Sequence, residues 1–227
     1  MTFSSIDTVL WDWNGTLLDD LHLTVHITND VLAAQGARSI DVKHHRENFV
    51  FPIADYYTHL GLPPDKVNHD AIHAVWGEKY ETRKHECGLH EAADEVLGAL
   101  SARGYSQAVL SAYPHDLLHR TIAHYGIDHH FRGMFGNPAN DGRSKLATAR
   151  RLVETLGIDA ARTVIVGDTH HDAEVAAELG CTVILVSHGH QSHSRLSDRH
   201  NHVCRSLRAV HDLITGGKAP PPADARG

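Results

Sequence analysis

The stretch Asp7-Thr8-Val9-Leu10-Trp11-Asp12-Trp13-Asn14-Gly15-Thr16-Leu17-Leu18-Asp19 decides how the rest of the chain is read. Its first six residues form a short apolar run ending on a carboxylate, the pattern of a buried strand. Asn14-Gly15 then turns the chain. Asp20 is placed to cap a helix from about Leu21 to Gln35, with Leu21, Val25, Thr28 and Leu32 on one face and Gly36 ending it. From there to about Cys87 no strand pattern stands out. The stretch reads as helical, broken at Pro52 and at Gly61-Leu62-Pro63-Pro64.

After Gly88 the pattern becomes an alternation. Helices are predicted over 91–103, 115–125, 145–156, 172–179 and 207–214. Strands are predicted over 107–111, 163–168 and 182–187, with another near Val203. Strands alternating with helices predict an α/β fold, a doubly wound, mostly parallel, Rossmann-like sheet with helices on both faces. The core would comprise residues 1–18 and 88–215, with an inserted all-α cap over 19–87. The Gly- and Pro-rich residues 216–227 would be a disordered tail. In such sheets ligands bind beyond the carboxyl ends of the strands. Asp12, Ser111 and Asp168 all end strands, so the fold would gather them on one rim, overhung by the helical insert.

Two acids at strand ends, with Asp172 one helical turn beyond Asp168, suit a hard cation such as Mg²⁺, which prefers a few carboxylates plus water and substrate phosphate. The Ser111 hydroxyl would donate to a phosphoryl oxygen, and Lys145 would bring positive charge. Each residue alone has a plainer reading as a helix cap or loop residue. Their occurrence together, in this order, is the specific signal.

These residues resemble the motifs of the haloacid dehalogenase superfamily. Asp12-Trp13-Asn14-Gly15-Thr16-Leu17-Leu18-Asp19 matches its first motif, Ser111 its second, Lys145 its third and Gly167-Asp168-Thr169-His170-His171-Asp172 its fourth. The resemblance spans about residues 6–214, with the insert in the place of a phosphoglycolate-phosphatase-type cap. It implies a phosphatase in which Asp12 is the nucleophile and forms an aspartyl-phosphate. Mg²⁺ would be held by Asp12, the Asn14 backbone carbonyl and Asp168, with Asp172 supporting the metal shell or Lys145. Metal and Lys145 would offset the repulsion between a carboxylate and a phosphate dianion. Thr16 and Ser111 would position phosphoryl oxygens and the loop beside the nucleophile. The substrate would be a small phosphorylated metabolite, with specificity set by the cap.

One position departs from that pattern. Phosphatases of the superfamily usually carry an Asp two residues after the nucleophile as general acid/base, and here it is Asn14. An amide can neither protonate a leaving alkoxide nor activate water, and general acid–base catalysis is typically worth about 10²–10⁴-fold. Three readings follow. Another group replaces the acid, and His170 and His171 lie in the metal-site loop. Alternatively the enzyme favours good leaving groups, or the chain is a weakened homologue that binds phosphorylated ligands or a protein partner. A lesser branch is phosphonate hydrolysis through a cap lysine; Lys43, Lys66, Lys79 and Lys84 are available, none in an apolar context suited to a Schiff base.

In the insert, Arg46 and Lys43 precede Phe51-Pro52-Ile53-Ala54-Asp55-Tyr56-Tyr57; ordinary packing with solvated charges is the preferred reading for them, and contact with an anionic substrate the other. Asp19 would lie at the hinge between core and cap.

Composition bounds the rest. The 227 residues suit one globular domain with an insert. Lys and Arg number 21 against 28 Asp and Glu, which argues against nucleic-acid binding. No apolar run approaches membrane-spanning length, and the N-terminal residues do not read as a secretion signal. Three widely spaced cysteines (Cys87, Cys181, Cys204) read as reduced thiols, so a cytoplasmic location is expected. Nothing in the sequence sets the oligomeric state.

Histidine is the outlier, with 22 residues. Half protonation near pH 6.5 would carry the net charge from −7 to about +4. The pairs His22/His26, His69/His73 and His115/His119 share helix faces at i,i+4 spacing. The run Ser187-His188-Gly189-His190-Gln191-Ser192-His193 is denser still. Adventitious transition-metal binding is one reading; a structural or active-site-edge role is preferred for the run.

Overall fold

The computed structural model describes residues 3–63, 69–138 and 145–217. Within these, the strands in chain order are β1 (Thr8–Trp11), β2 (Leu18–Asp19), β3 (Gly88–Leu89), β4 (Ser106–Pro114), β5 (Gly133–Asn137), β6 (Thr163–Gly167), β7 (Thr182–Val186) and β8 (Val203–Cys204). Six of them form a parallel sheet in the order β5-β4-β1-β6-β7-β8. β1 is buried along its whole length between β4 and β6, with Trp11 opposite Val109 and Val166. A central parallel strand is covered on both faces, which is why Thr8-Val9-Leu10-Trp11 lacks polar alternation.

The insert between β2 and β3 holds helices α1 (Leu21–Ala34), α2 (Val42–Asn48), α3 (Ile53–His59) and α4 (His69–Arg83). The rest are α5 (Ala93–Ala102), α6 (His115–His124), α7 (Leu146–Leu156), α8 (His170–Leu179), α9 (His193–Ser197) and α10 (Leu207–Thr215). Val9 and Trp11 pack with Leu97 and Leu100 of α5, Leu118 and Ile122 of α6 and Val210 of α10. On the other face, Leu10, Leu110 and Ile165 pack with Leu152 of α7 and Val175 of α8. Successive side chains of one strand feed two separate cores, as a doubly wound sheet requires.

β2 and β3 pair antiparallel, Leu18 with Leu89 and Asp19 with Gly88, so the chain leaves for the helical insert and returns at one point. Val31, Leu32, Tyr57 and Leu62 form a core within the insert, and Leu23, Ile27 and Tyr80 a second.

Four elements lie outside the sequence reading: the two-residue strands β2 and β3, β5 and α9. β5 is built from Gly133-Met134-Phe135-Gly136-Asn137, where two glycines and no β-branched residue hide the strand pattern. Gly136 is required: a Cβ there would fall 2.6 Å from both the Tyr113 carbonyl oxygen and His115 Cα. The short α9 was likewise not expected, and its Ser192 side chain accepts from the Arg195 N–H. α8 begins at His170 rather than Asp172, because Asp172 reaches back to accept from the Thr169 N–H (3.0 Å) and hydroxyl (2.8 Å). The tail beyond residue 217, Pro64 and Lys66 lie outside the described residues, as do the side chains of His69 and His73. Among the described residues no helix is long and apolar enough to cross a membrane.

Candidate active site

The carboxyl ends of β1 and β6 place Asp12 and Asp168 side by side, one residue beyond Trp11 and Gly167. With Asp172 from the first turn of α8 they form a cluster whose carboxylate oxygens lie within 4.8 Å of one another. Lys145, immediately before α7, is buried among them. Its Nζ is 3.1 Å from Asp12 Oδ1 and also bonds Asp172 Oδ1. Burial pushes the Asp12 carboxyl up to about 8, against the pull of Lys145 and with the push of Asp172 and Asp168. Burial likewise raises Asp168 to about 6, although the positive charge of His190 opposes it. Burial works against the charge of Lys145 but is outweighed by Asp12 and Asp172, which hold it firmly protonated.

The donors around each acid separate their roles. Asp12 Oδ1 accepts from the Trp13 N–H at 2.8 Å and faces Lys145, while Oδ2 has no hydrogen-bond partner among the described residues. Asp172 has both oxygens engaged, one by Lys145 and one by Thr169, so it suits holding Lys145 better than direct metal ligation. Asp168 accepts the His190 N–H at 2.6 Å and, more weakly, the Thr16 hydroxyl at 3.3 Å. Thr16 is fully buried beneath the loop and is not on the pocket wall, so the expected contact with a phosphoryl oxygen is corrected. Ser111 is on the wall; its Oγ accepts from the Tyr113 N–H at 3.1 Å, which leaves its own proton to donate.

Asn14 stands on the pocket wall with its amide already committed. Nδ2 donates to Asp20 Oδ2 and to the Tyr80 hydroxyl, both at 2.7 Å. Asp20 is the largest surprise. It precedes α1 but makes no side-chain cap bond, which corrects the reading of it as an N-cap. Instead its buried carboxylate accepts the Gly15 N–H (2.9 Å), Asn14, the Tyr80 hydroxyl (2.7 Å) and, at 3.2 Å, His190 Nε2. Burial raises the Asp20 pKa, but His190, Asn14 and Tyr80 outweigh it and bring it below the usual carboxylate value. Burial opposes charge on His190 as well; Asp20, then Asp168 and Asp12, override it and raise the imidazole to about 9. His190 Nδ1 meets His45 Nε2 at 3.1 Å, and His45 Nδ1 meets the Tyr56 hydroxyl at 2.6 Å.

The histidine run over 187–193 is thus a latch between sheet and insert. His188 Nε2 donates to the Thr16 carbonyl at 3.1 Å, and Gln191 Nε2 donates to the Phe49 carbonyl at 2.9 Å. Arg46 completes it, donating to the carbonyls of Gly189 (2.8 Å) and Ser187 (2.6 Å). Arg46 is therefore tied to the core and absent from the pocket wall, and Lys43 is exposed and also absent from it. Neither is placed to bind substrate, which corrects that expectation; the guanidinium satisfies loop carbonyls instead. Gly189 is needed where the latch crosses the site, because a Cβ there would run into the Asp168 carboxylate and the Gly15 carbonyl. Gly189→Ala is expected to cost about 1–3 kcal/mol through overpacking, read as a lowered urea midpoint; an unchanged midpoint would show that the latch yields freely.

The two histidines of the fourth motif diverge. His170 Nδ1 meets His200 Nε2 at 3.0 Å, and His170 is not on the pocket wall, so it is withdrawn as the surrogate acid. His171 is on the wall, its ring 5.1 Å from that of Phe51 and its Nε2 buried without a hydrogen-bond partner among the described residues. Of the proposed lysines, Lys79 pairs with Asp30 at 2.7 Å and Lys84 with Glu81 at 2.6 Å, and none of the described ones lines the pocket. None of the described cap lysines is therefore placed for a Schiff base. The pair His115/His119 serves β5, accepting from the Gly136 N–H at 3.3 Å and meeting the Met134 carbonyl at 3.0 Å.

The pocket above these groups has a volume of about 350 Å³ and is closed by side chains of the helical insert. Together the sheet and site define a doubly wound α/β protein with a buried acidic cluster, countered by one lysine, at the carboxyl edge of its central strands. Residues 9–186 match the haloacid dehalogenase-like hydrolase family, and the chain belongs to it. It is 25% identical over 215 residues to a 5'-nucleotidase of Pseudomonas aeruginosa, covering 91% of this chain and 94% of the relative. It is also 25% identical over 191 residues to a phosphoglycolate phosphatase of Rhodobacter capsulatus, covering 81% and 85%. Among solved structures, a predicted phosphatase from Clostridium acetobutylicum superposes with a TM-score of 0.79 at 18% identity, over 93% of this chain and 99% of that one.

Proposed function

We propose that the chain is a Mg²⁺-dependent phosphatase that hydrolyses a small-molecule phosphate monoester through an aspartyl-phosphate on Asp12. The observation that carries this reading is the asymmetry of Asp12: one oxygen is fixed by the Trp13 N–H and Lys145, and the other is left open beside Asp168. The all-oxygen donor set suits a hard cation. Asp12, Asp168 and the Asn14 backbone carbonyl would hold Mg²⁺, which supplies charge against the repulsion between nucleophile and phosphate. Lys145 neutralises the same charge from the α7 side, Asp172 holds Lys145 in place, and the Ser111 hydroxyl donates to a phosphoryl oxygen. Thr16 orients Asp168.

The family membership and the phosphatase names of its relatives support this reading. Asp12→Asn is expected to lower phosphate release by at least about 10³-fold, because the nucleophile is gone, and chelation by EDTA should do the same reversibly. The committed Asn14 amide favours one rival, a weakened homologue that binds phosphorylated ligands. Wild type that releases no more phosphate than Asp12→Asn, from acetyl phosphate included, would establish that rival.

A further inference from the structure

The walls of the pocket say which leaving group it takes, an inference that rests on the phosphatase reading. Two runs of aromatic rings line it. Trp76 stacks on Tyr80 at 4.6 Å and 15°, and Tyr80 meets Tyr113 at 5.9 Å. Phe49 touches both Phe51 (5.3 Å) and Tyr56 (5.2 Å). Among the described lining residues the cations are Lys145, shared between Asp12 and Asp172, and His190, held by Asp20. The other charged side chains on the walls include Glu78 and Glu81. A leaving group carrying its own carboxylate would therefore be desolvated against rings and carboxylates, with no free cation to meet it.

The second, independent observation is Asn14. Its amide is held by Asp20 and Tyr80, and neither oxygen of Asp20 is free to carry a proton to substrate. A phenol ionises near pH 10, whereas water, a fair proxy for an alcohol, ionises near 15.7, so an aryloxide departs with far less need of an acid. The cavity of about 350 Å³ compares with roughly 150 Å³ that holds one benzene, leaving room for a phosphoryl group and one or two fused rings.

We infer that the substrate is an aryl phosphate monoester whose ring seats among Trp76, Tyr113 and Phe51. In the first step Asp12 Oδ2 forms a bond to phosphorus as the P–O(aryl) bond breaks, and the aryloxide leaves with the electron pair and takes a proton from solvent. In the second, water attacks the same phosphorus, the bond to Asp12 breaks, and orthophosphate leaves with the water's protons shared between it and solvent. The aspartate is regenerated, so the sum is ester plus water giving phenol plus orthophosphate.

The test measures kcat/KM with Mg²⁺ for 1-naphthyl phosphate, phenyl phosphate, acetyl phosphate, phosphoglycolate, glycerol phosphate and phosphocholine. Naphthyl phosphate should exceed phosphoglycolate and glycerol phosphate by on the order of 100-fold or more. Trp76→Ala should cut the ratio of naphthyl to acetyl phosphate by about 10-fold, read as a raised KM for the ring substrate. Phosphoglycolate or glycerol phosphate matching the aryl esters would overturn the inference and leave the phosphatase reading standing. Preference for phosphocholine would overturn it too, showing that rings and carboxylates form a cage for a quaternary ammonium. Release from none of the six, acetyl phosphate included, would remove the phosphatase reading itself and the inference with it.

Discussion

Lys145→Met is expected to abolish useful turnover, lowering kcat by about 10³-fold or more, and to destabilise the metal-free protein by about 3–5 kcal/mol. Lys145 is 3% exposed in its side chain and lies between Asp12 and Asp172. Methionine has nearly the same length and fills the same space, so packing is kept and only the charge is lost. Three carboxylates would then face one another in a buried site, the arrangement in which removing one partner of an ion pair costs most. Lys145→Arg should not restore activity, because a planar guanidinium cannot occupy the point between two acids that a compact ammonium fills. Saturating Mg²⁺ should return part of the lost stability and little of the rate, since the cation neutralises Asp12 and Asp168 from the other side. Urea midpoints with and without Mg²⁺, beside kcat on a common substrate, separate the two effects. A methionine variant with wild-type kcat would refute the role given to this residue.

How much of this was legible in the sequence follows from the range of the interactions. The sheet was, because β1, β4, β6 and β7 each announce themselves within a few residues as short apolar runs. Asp12, Ser111 and Asp168 were legible because each sits at the end of such a run, where the fold rule applies, and Lys145 because it opens a helix in motif order. β5 was not, since Gly136 serves close approach to the Tyr113–His115 backbone and Gly133 leaves room for the Phe135 and Leu156 side chains, and neither favours a strand. Asp20 was misread for a different reason. An acid just before a helix reads locally as a cap, and its real partner Tyr80 is 60 residues away. Arg46 looked like a substrate ligand, but the Gly189 carbonyl that claims it is 143 residues distant. The latch, the contacts of Asp20 and the pocket wall all depend on how the helical insert sits over the sheet, which no local pattern encodes. The signal that was present was the density of histidine over 188–193; what it lacked was a partner, and His45 in the insert supplies it.

Two histidines buried in the neutral state should each cost this protein stability in mild acid. Burial presses His45 down to about 2, and His188 down to about 4, so both are neutral in the folded state. Each returns to an ordinary value near 6.5 when unfolded. A base with a lowered folded pKa contributes stability that is whole above the unfolded value and is lost as pH falls toward the folded one. At pH 5 each of the two should therefore have lost about 2 kcal/mol, or about 4 kcal/mol together, against a typical total of about 5–15 kcal/mol. His190 works in the other direction. Its folded value of about 9 means that its contribution is complete below 6.5 and disappears as pH rises through 9. The raised Asp12 and Asp168 carboxyls act in the same sense as His190, their stabilisation being lost as pH rises through about 8 and about 6, so the histidine effect is read by substitution rather than from the whole pH profile. Urea midpoints of wild type and of His188→Asn, which can still donate toward the Thr16 carbonyl, test this at pH 5 and pH 7.5: relative to wild type the variant should gain about 2 kcal/mol at the acid pH. A difference between the two proteins that does not change with pH would mean that His188 accepts a proton without leaving the fold.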